Sequence, residues 1–125
     1  MDQNTLVSGG QALVKAMDET GFHPRIAMWV HNTDVDTWKL WLVPPAGHAD
    51  KSDFYRRIAE IVTKHRTELS GIDASDTEMV PATHPAMQGI SKFIRAPGLL
   101  NIHFAGNRFN GFYLPEGIIL RSEAL

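Results

Sequence analysis

Two short runs in the first half of the chain constrain its fold most. Arg25 to His31 alternates Ile26, Met28 and Val30 with Ala27, Trp29 and His31. Trp38 to Val43 alternates Trp38, Leu40 and Leu42 with Lys39, Trp41 and Val43. Period-two alternation is the pattern of a β-strand, because successive side chains leave opposite faces of the pleat. The polar segment Asn32 to Thr37 joins the two runs as a hairpin. Both faces carry apolar groups, so these strands either lie inside a sheet covered on each side or give one face to a partner. Trp29 and Trp41 fall on one phase with His31 and Val43, and Trp38 falls on the other. Aromatic surface left uncovered there would mark an interface.

The strongest helical signal is Lys51 to Ser70. Phe54, Ile58, Ile61, Val62, His65 and Leu69 form one stripe, and Arg56, Arg57, Glu60, Thr63, Lys64 and Thr67 the other face. Asp50 is placed to cap this helix and Gly71 to end it. Thr5 to Thr20 repeats Leu6, Gly10, Leu13, Val14 and Met17 at helical spacing, and a Ser8/Gln11 capping box would start that helix later. Gly21 and Phe22 supply its end, and His23-Pro24 then extends the chain. Asp76 to Val80 reads as a short strand stopped by Pro81. A short helix runs to about Phe93, with Thr83 as N-cap, Pro85 in its first turn and Met87, Ile90 and Ile94 on one face. Ala96-Pro97-Gly98 is a turn.

The last quarter reads as a meander of three strands. Leu100 to Ala105 alternates, Gly106-Asn107-Arg108 turns the chain, and Phe109 to Leu114 follows. Pro115-Glu116-Gly117 turns it again into Ile118 to Arg121. The order α-β-β-α-β-α-β-β-β is that of an α+β fold. The expectation is a single, mostly antiparallel sheet of about five to six strands, with helices mainly on one face, in one domain spanning residues 1–125.

A chain of 125 residues is the size of one domain, and 43% hydrophobic with 21% charged residues suits a buried core. The net charge of −2 lacks the basic excess of a protein built to hold a phosphate backbone. There is no cysteine, which removes disulfides, thiolate metal sites and cysteine nucleophiles and fits a cytoplasmic location. Met1-Asp2-Gln3-Asn4 has neither the charge nor the apolar stretch of a signal peptide. No apolar run approaches the ~20 residues of a spanning helix.

The local signatures of common chemistry are missing. There is no phosphate-binding Gly-x-x-x-x-Gly-Lys, Gly-x-Gly-x-x-Gly, His-Glu-x-x-His, EF-hand loop or Gly-x-Ser-x-Gly. An acid two residues before a strand lysine, as in restriction-type nucleases, is absent: Thr37 and Ile90 precede Lys39 and Lys92.

What remains is a set of residues with two readings each. His65 on the apolar stripe reads as a satisfied, partly buried side chain. His31 and His103 would converge on a metal or substrate only if their strands were neighbours. His48 precedes a helix N-terminus that suits anions, but Asp50 and Asp53 suffice as caps there. Asp73, Asp76 and Glu78 read as a solvated turn ahead of a weak cation site. Arg56, Arg57, Lys64 and Arg66 alternate with Glu60 and Glu68, as on a salt-bridged face. Gly106-Asn107-Arg108-Phe109-Asn110-Gly111 is explained by turn chemistry except for Arg108 and Phe109, which suit recognition of an acidic group or a protein.

The expected function is a non-enzymatic interaction or accessory module, with a protein partner or a second copy, and without membrane, metal or cofactor. Its contact residues would be Trp29, Trp41, Asn101, His103, Asn107, Arg108 and Phe109, with His48 for an anion. The alternative is a small-molecule-binding domain, or an enzyme of another type, that uses Asn101, His103 and Arg108. The weaker alternative is nucleic-acid binding through the basic face of the 51–70 helix.

Overall fold

The computed structural model describes residues 2–96 and 98–125. Met1, and Pro97 of the expected Ala96-Pro97-Gly98 turn, lie outside the described residues. Helix α1 spans Gln3–Glu19. It starts before the Ser8/Gln11 box because the Asp2 carboxylate accepts the Thr5 N–H at 2.8 Å. It ends as the glycine predicts. The N–H groups of Gly21 and Phe22 donate to the carbonyls of Asp18 and Met17, with Gly21 at φ 76° and Phe22 buried.

Helix α2 spans Lys51–Lys64 and is capped by Asp50, which accepts the Asp53 N–H at 2.8 Å. It stops short of Ser70: His65 is its C-cap, and Arg66–Glu68 tighten into a 3-10 turn. Helix α3 spans Pro85–Phe93. Its N-cap is His84 rather than Thr83, because His84 Nδ1 accepts the Ala86 N–H at 3.1 Å.

The strands are β1 (Ile26–Asn32), β2 (Thr37–Val43), β3 (Thr77–Met79), β4 (Ile102–Phe109) and β5 (Phe112–Ser122). They form one α+β sheet in the order β3-β2-β1-β5-β4. The pairs β1–β2, β1–β5 and β4–β5 are antiparallel, and β2–β3 is parallel. That parallel pair follows from α2, which carries the chain back to the same end of the sheet.

The expected three-strand meander is one long hairpin instead. The chain reverses at Asn110-Gly111 (φ 52° and 81°), the positive-φ pair that a two-residue hairpin loop requires. Gly106-Asn107-Arg108 lies inside β4, and Pro115-Glu116-Gly117 inside β5. Pro115 is tolerated because it lies beyond Val30–Gly117, the last β1–β5 pair, so its missing N–H removes no bond to β1. Gly106 has φ 59°, and side-chain alternation breaks around it. Phe104 and Phe109 are an odd number apart, yet their rings meet at 5.1 Å.

The sheet is covered on both sides. On one, α1 and α2 pack on Ala27, Trp29, Leu40, Leu42, Ile118 and Leu120. On the other, α3 packs with Ile26, Met28, Val43 and Ile119, together with Phe109 and Leu114 of the folded-over hairpin. Two helices thus share one face, and the third lies on the opposite one. Gly10 lets α1 approach Trp29, whose indole N–H donates to the Leu6 carbonyl at 2.7 Å. Gly89 similarly lets α3 meet the Asn110 backbone.

The shared phase of Trp29 and Trp41 does not survive the register. Trp41 pairs with Met28 and Trp29 with Leu40, so the two indoles leave opposite faces.

Candidate functional site

The hairpin register assembles the site. Val30 pairs with Lys39, Asn32 with Thr37, and Trp41 with Glu78, so these side chains share the α3 face of the sheet. The second core fills that face around Ile26, Met28 and Val43. Toward the β1–β2 turn the covering stops. A groove of about 660 Å³ remains between this turn and Phe112, Tyr113, Leu114 and Pro115.

Its walls are largely apolar. Val35, Phe112 and Tyr113 are exposed, and Trp41 is half-buried at its floor. Edge-on contacts link Trp41 to His84 at 5.4 Å and His84 to Phe112 at 4.6 Å. Burial pushes the His84 imidazole below its ordinary range, against the opposing pull of Glu78. A neutral His84 agrees with Nδ1 accepting the Ala86 N–H. Arg108 stands over the Tyr113 ring at 5.5 Å.

The groove's charges are unequal. Lys39 Nζ donates to the Ser75 carbonyl. Asp34 and Glu78 are exposed carboxylates that make no ion pair among the described residues. A smaller adjoining cavity of about 260 Å³ continues past Trp41 and Glu78 toward Lys51 and Tyr55.

The other face carries a second polar cluster. His31 places Nε2 2.8 Å from Asp36 Oδ1 and Nδ1 3.0 Å from Glu116 Oε2, and its ring stacks on Trp38 at 4.6 Å. Both nitrogens can donate only in the imidazolium form. The hydrogen bond to Asp36 raises the His31 pKa above its ordinary value, Glu116 adds to this, and burial opposes it.

The residues singled out in the sequence are dispersed. His31 and His103 are not on neighbouring strands, because β5 lies between β1 and β4. His103 pairs with Ile118, on the face of α1 and α2, whereas Arg108 sits over Tyr113 near the tip of the β4–β5 hairpin. Asn101, His103 and Asn107 are exposed along the edge of the sheet, and Phe109 is buried in the second core. Trp29 is buried in the first core, so of the two indoles only Trp41 reaches the groove.

His48 lies edge-on to Phe22 at 5.4 Å and 3.9 Å from Asp53 Oδ2. The α2 N-terminus is therefore occupied by the chain's own carboxylates. On the basic face, Arg56 bridges Asp53 and Glu60, and Arg57 binds Asp53. Asp73 and Asp76 form a capping box on the 3-10 turn Ala74–Asp76.

Val35, Lys39, Phe112 and Tyr113 line the groove together without any local sequence pattern that groups them. The signal that would have found part of it is Asn110-Gly111: a turn there puts Phe112 and Tyr113 at the tip of a hairpin free to fold over the sheet. Among the described residues, no group of three or more His, Asp or Glu side chains is placed to hold a metal ion, and no helix is long and apolar enough to cross a membrane. Compared with protein-family models, curated proteins and solved structures, the chain matches none.

Proposed function

We propose that this domain is an interaction module that associates with a second copy of itself through the free edge of β4. The observation that carries the reading is the state of that strand. β4 is eight residues long, ends the sheet, and is exposed at every position except Phe104 and Phe109. Among the described residues its backbone bonds only to β5.

A long open edge is a template for pairing with another chain, and sheets ordinarily blunt it with lysine, proline or a bulge. Ile102-His103-Phe104-Ala105-Gly106-Asn107-Arg108-Phe109 has no lysine or proline, and its register with β5 is the same on either side of Gly106, where the alternation breaks. Antiparallel pairing of identical edges closes with two-fold symmetry, so the same patch serves on both subunits. Ile102 and Leu99 are exposed apolar groups that such pairing would cover.

Sedimentation velocity over a concentration series tests the reading. A dimer is expected, and the double variant Ile102→Lys, Ala105→Lys is expected to convert it to a folded monomer by placing like charges across the shared edge. A wild-type chain that stays monomeric at every concentration, or a dimer indifferent to both lysines, overturns it.

A further inference from the structure

We propose that the groove between the β1–β2 turn and the folded-over hairpin binds an amphipathic organic cation, with its apolar part against Trp41 and Phe112 and its ammonium or guanidinium at Glu78. This site is separate from the β4 edge and does not depend on self-association.

The first argument is size and lining. A groove of about 660 Å³ lies in the range, roughly 300–1,000 Å³, of pockets that hold small ligands. It is built on strands rather than on loops alone: Val30, Lys39, Trp41 and Glu78 come from three adjacent strands in fixed register. Phe112 is an exposed aromatic at its wall, in edge-on contact with His84, and Tyr113 beside it also lines the gap.

The second argument is charge. The groove is lined by Asp34, Glu78 and Lys39. The Lys39 ammonium is turned onto the Ser75 carbonyl, and the two carboxylates outnumber it, which leaves the groove with an excess negative charge. Glu78 pairs directly with Trp41 across β2 and β3, so a carboxylate stands beside an indole. Carboxylate and aromatic face attract the same kind of ligand, because the ring's negative face favours a cation.

Titration with benzyltrimethylammonium, followed by two-dimensional NMR, tests the proposal, with phenylacetate as the anion of matching shape. The cation is expected to shift the Trp41 indole N–H and the amides of Val30, Lys39 and Tyr113, leaving the buried Trp29 indole unmoved. Glu78→Gln is expected to weaken binding about tenfold, the equivalent of ~1.4 kcal/mol. Glu78 is exposed, so the fold should tolerate that change. Ala105→Lys on the β4 edge should leave the affinity unchanged, which separates failure here from failure of the self-association reading. Equal response to phenylacetate, no shift at the groove, or an unaltered affinity in Glu78→Gln overturns the proposal.

Discussion

Arg121 is buried in β5 and places its two terminal nitrogens each 2.7 Å from one carboxylate oxygen of Asp18, at the end of α1. His23 completes the arrangement, with Nδ1 2.7 Å from Asp18 and Nε2 2.7 Å from Glu123. The pair ties the first helix to the last strand across almost the whole sequence. A planar guanidinium matches a carboxylate in two parallel bonds, which orients as well as attracts. Arg121 Nε has no hydrogen-bond partner and stands 3.6 Å from Glu123.

Removing Asp18 leaves this buried cation with only the more distant Glu123 as a carboxylate partner. Asp18→Asn, which loses the two charge-assisted bonds, is therefore expected to cost about 1.5–3 kcal/mol. Arg121→Met, which removes the charge and keeps much of the volume, should cost clearly less. Urea unfolding monitored by tryptophan fluorescence compares the two. An Asp18→Asn variant as stable as wild type would show that the pair does not hold the helix to the strand.

His31 predicts a pH dependence with a definite sign. Its folded pKa is raised above 6.5 by the hydrogen bond to Asp36 and then by Glu116. The stabilisation is thus complete below about 6.5 and is lost as pH rises through the raised value. Asp36 is exposed to solvent, so the contribution falls in the range of surface pairs, about 0.2–1 kcal/mol. Thermal melts across neutral pH should show wild type losing stability relative to His31→Gln as pH increases. Parallel curves would contradict the assignment.

Gly10→Ala sets helix propensity against packing. In an open helix the change would gain up to ~1 kcal/mol. Here the new Cβ would lie 2.6 Å from both Trp29 Nε1 and Leu120 Cδ1. Overpacking of a filled core costs about 1–3 kcal/mol, so the variant should be less stable than wild type. A raised denaturation midpoint would mean that α1 can move away from the sheet.

The hairpin tip gives a paired test. Gly111→Ala forces a side chain into φ 81°, at a cost of roughly 1–2 kcal/mol, although nothing crowds the new Cβ. Gly89→Ala has no dihedral penalty, but its Cβ would come within 2.8 Å of the Asn110 backbone. Gly89→Ala should loosen the folded-over tip and raise amide exchange in Phe112 and Tyr113. Gly111→Ala should lower global stability. Unchanged exchange in Gly89→Ala would detach α3 from the positioning of the groove.

The α+β class, the three helices, the first hairpin and the glycine end of α1 were legible because each is decided within a few residues. Alternation announces β1 and β2, an apolar stripe announces α2, and Gly21-Phe22 announces a helix end whose bonds reach only to Met17 and Asp18. The Asn110-Gly111 turn was equally local. It was misplaced because Gly106-Asn107-Arg108 has the same residue chemistry, and composition does not say which positive-φ glycine reverses the chain.

Faces and neighbours were decided elsewhere. Odd numbering cannot put Trp29 and Trp41 on one side, because the cross-strand register, Met28 with Trp41, is set by the length of the turn between their strands. The insertion of β5 between β1 and β4 separated His31 from His103 and left β4 with an open edge. The Asp18–Arg121 pair joins residues 103 positions apart, a separation at which no local pattern survives. The sequence by itself determined the three helices, the first hairpin and the apolar stripes that are buried, since period and capping act within a turn or two. Only the tertiary structure decided the second half of the fold's chemistry: the groove, the free edge and the buried arginine. Each of these depends on which strands lie side by side, and pairing free energy is gained only when distant segments meet.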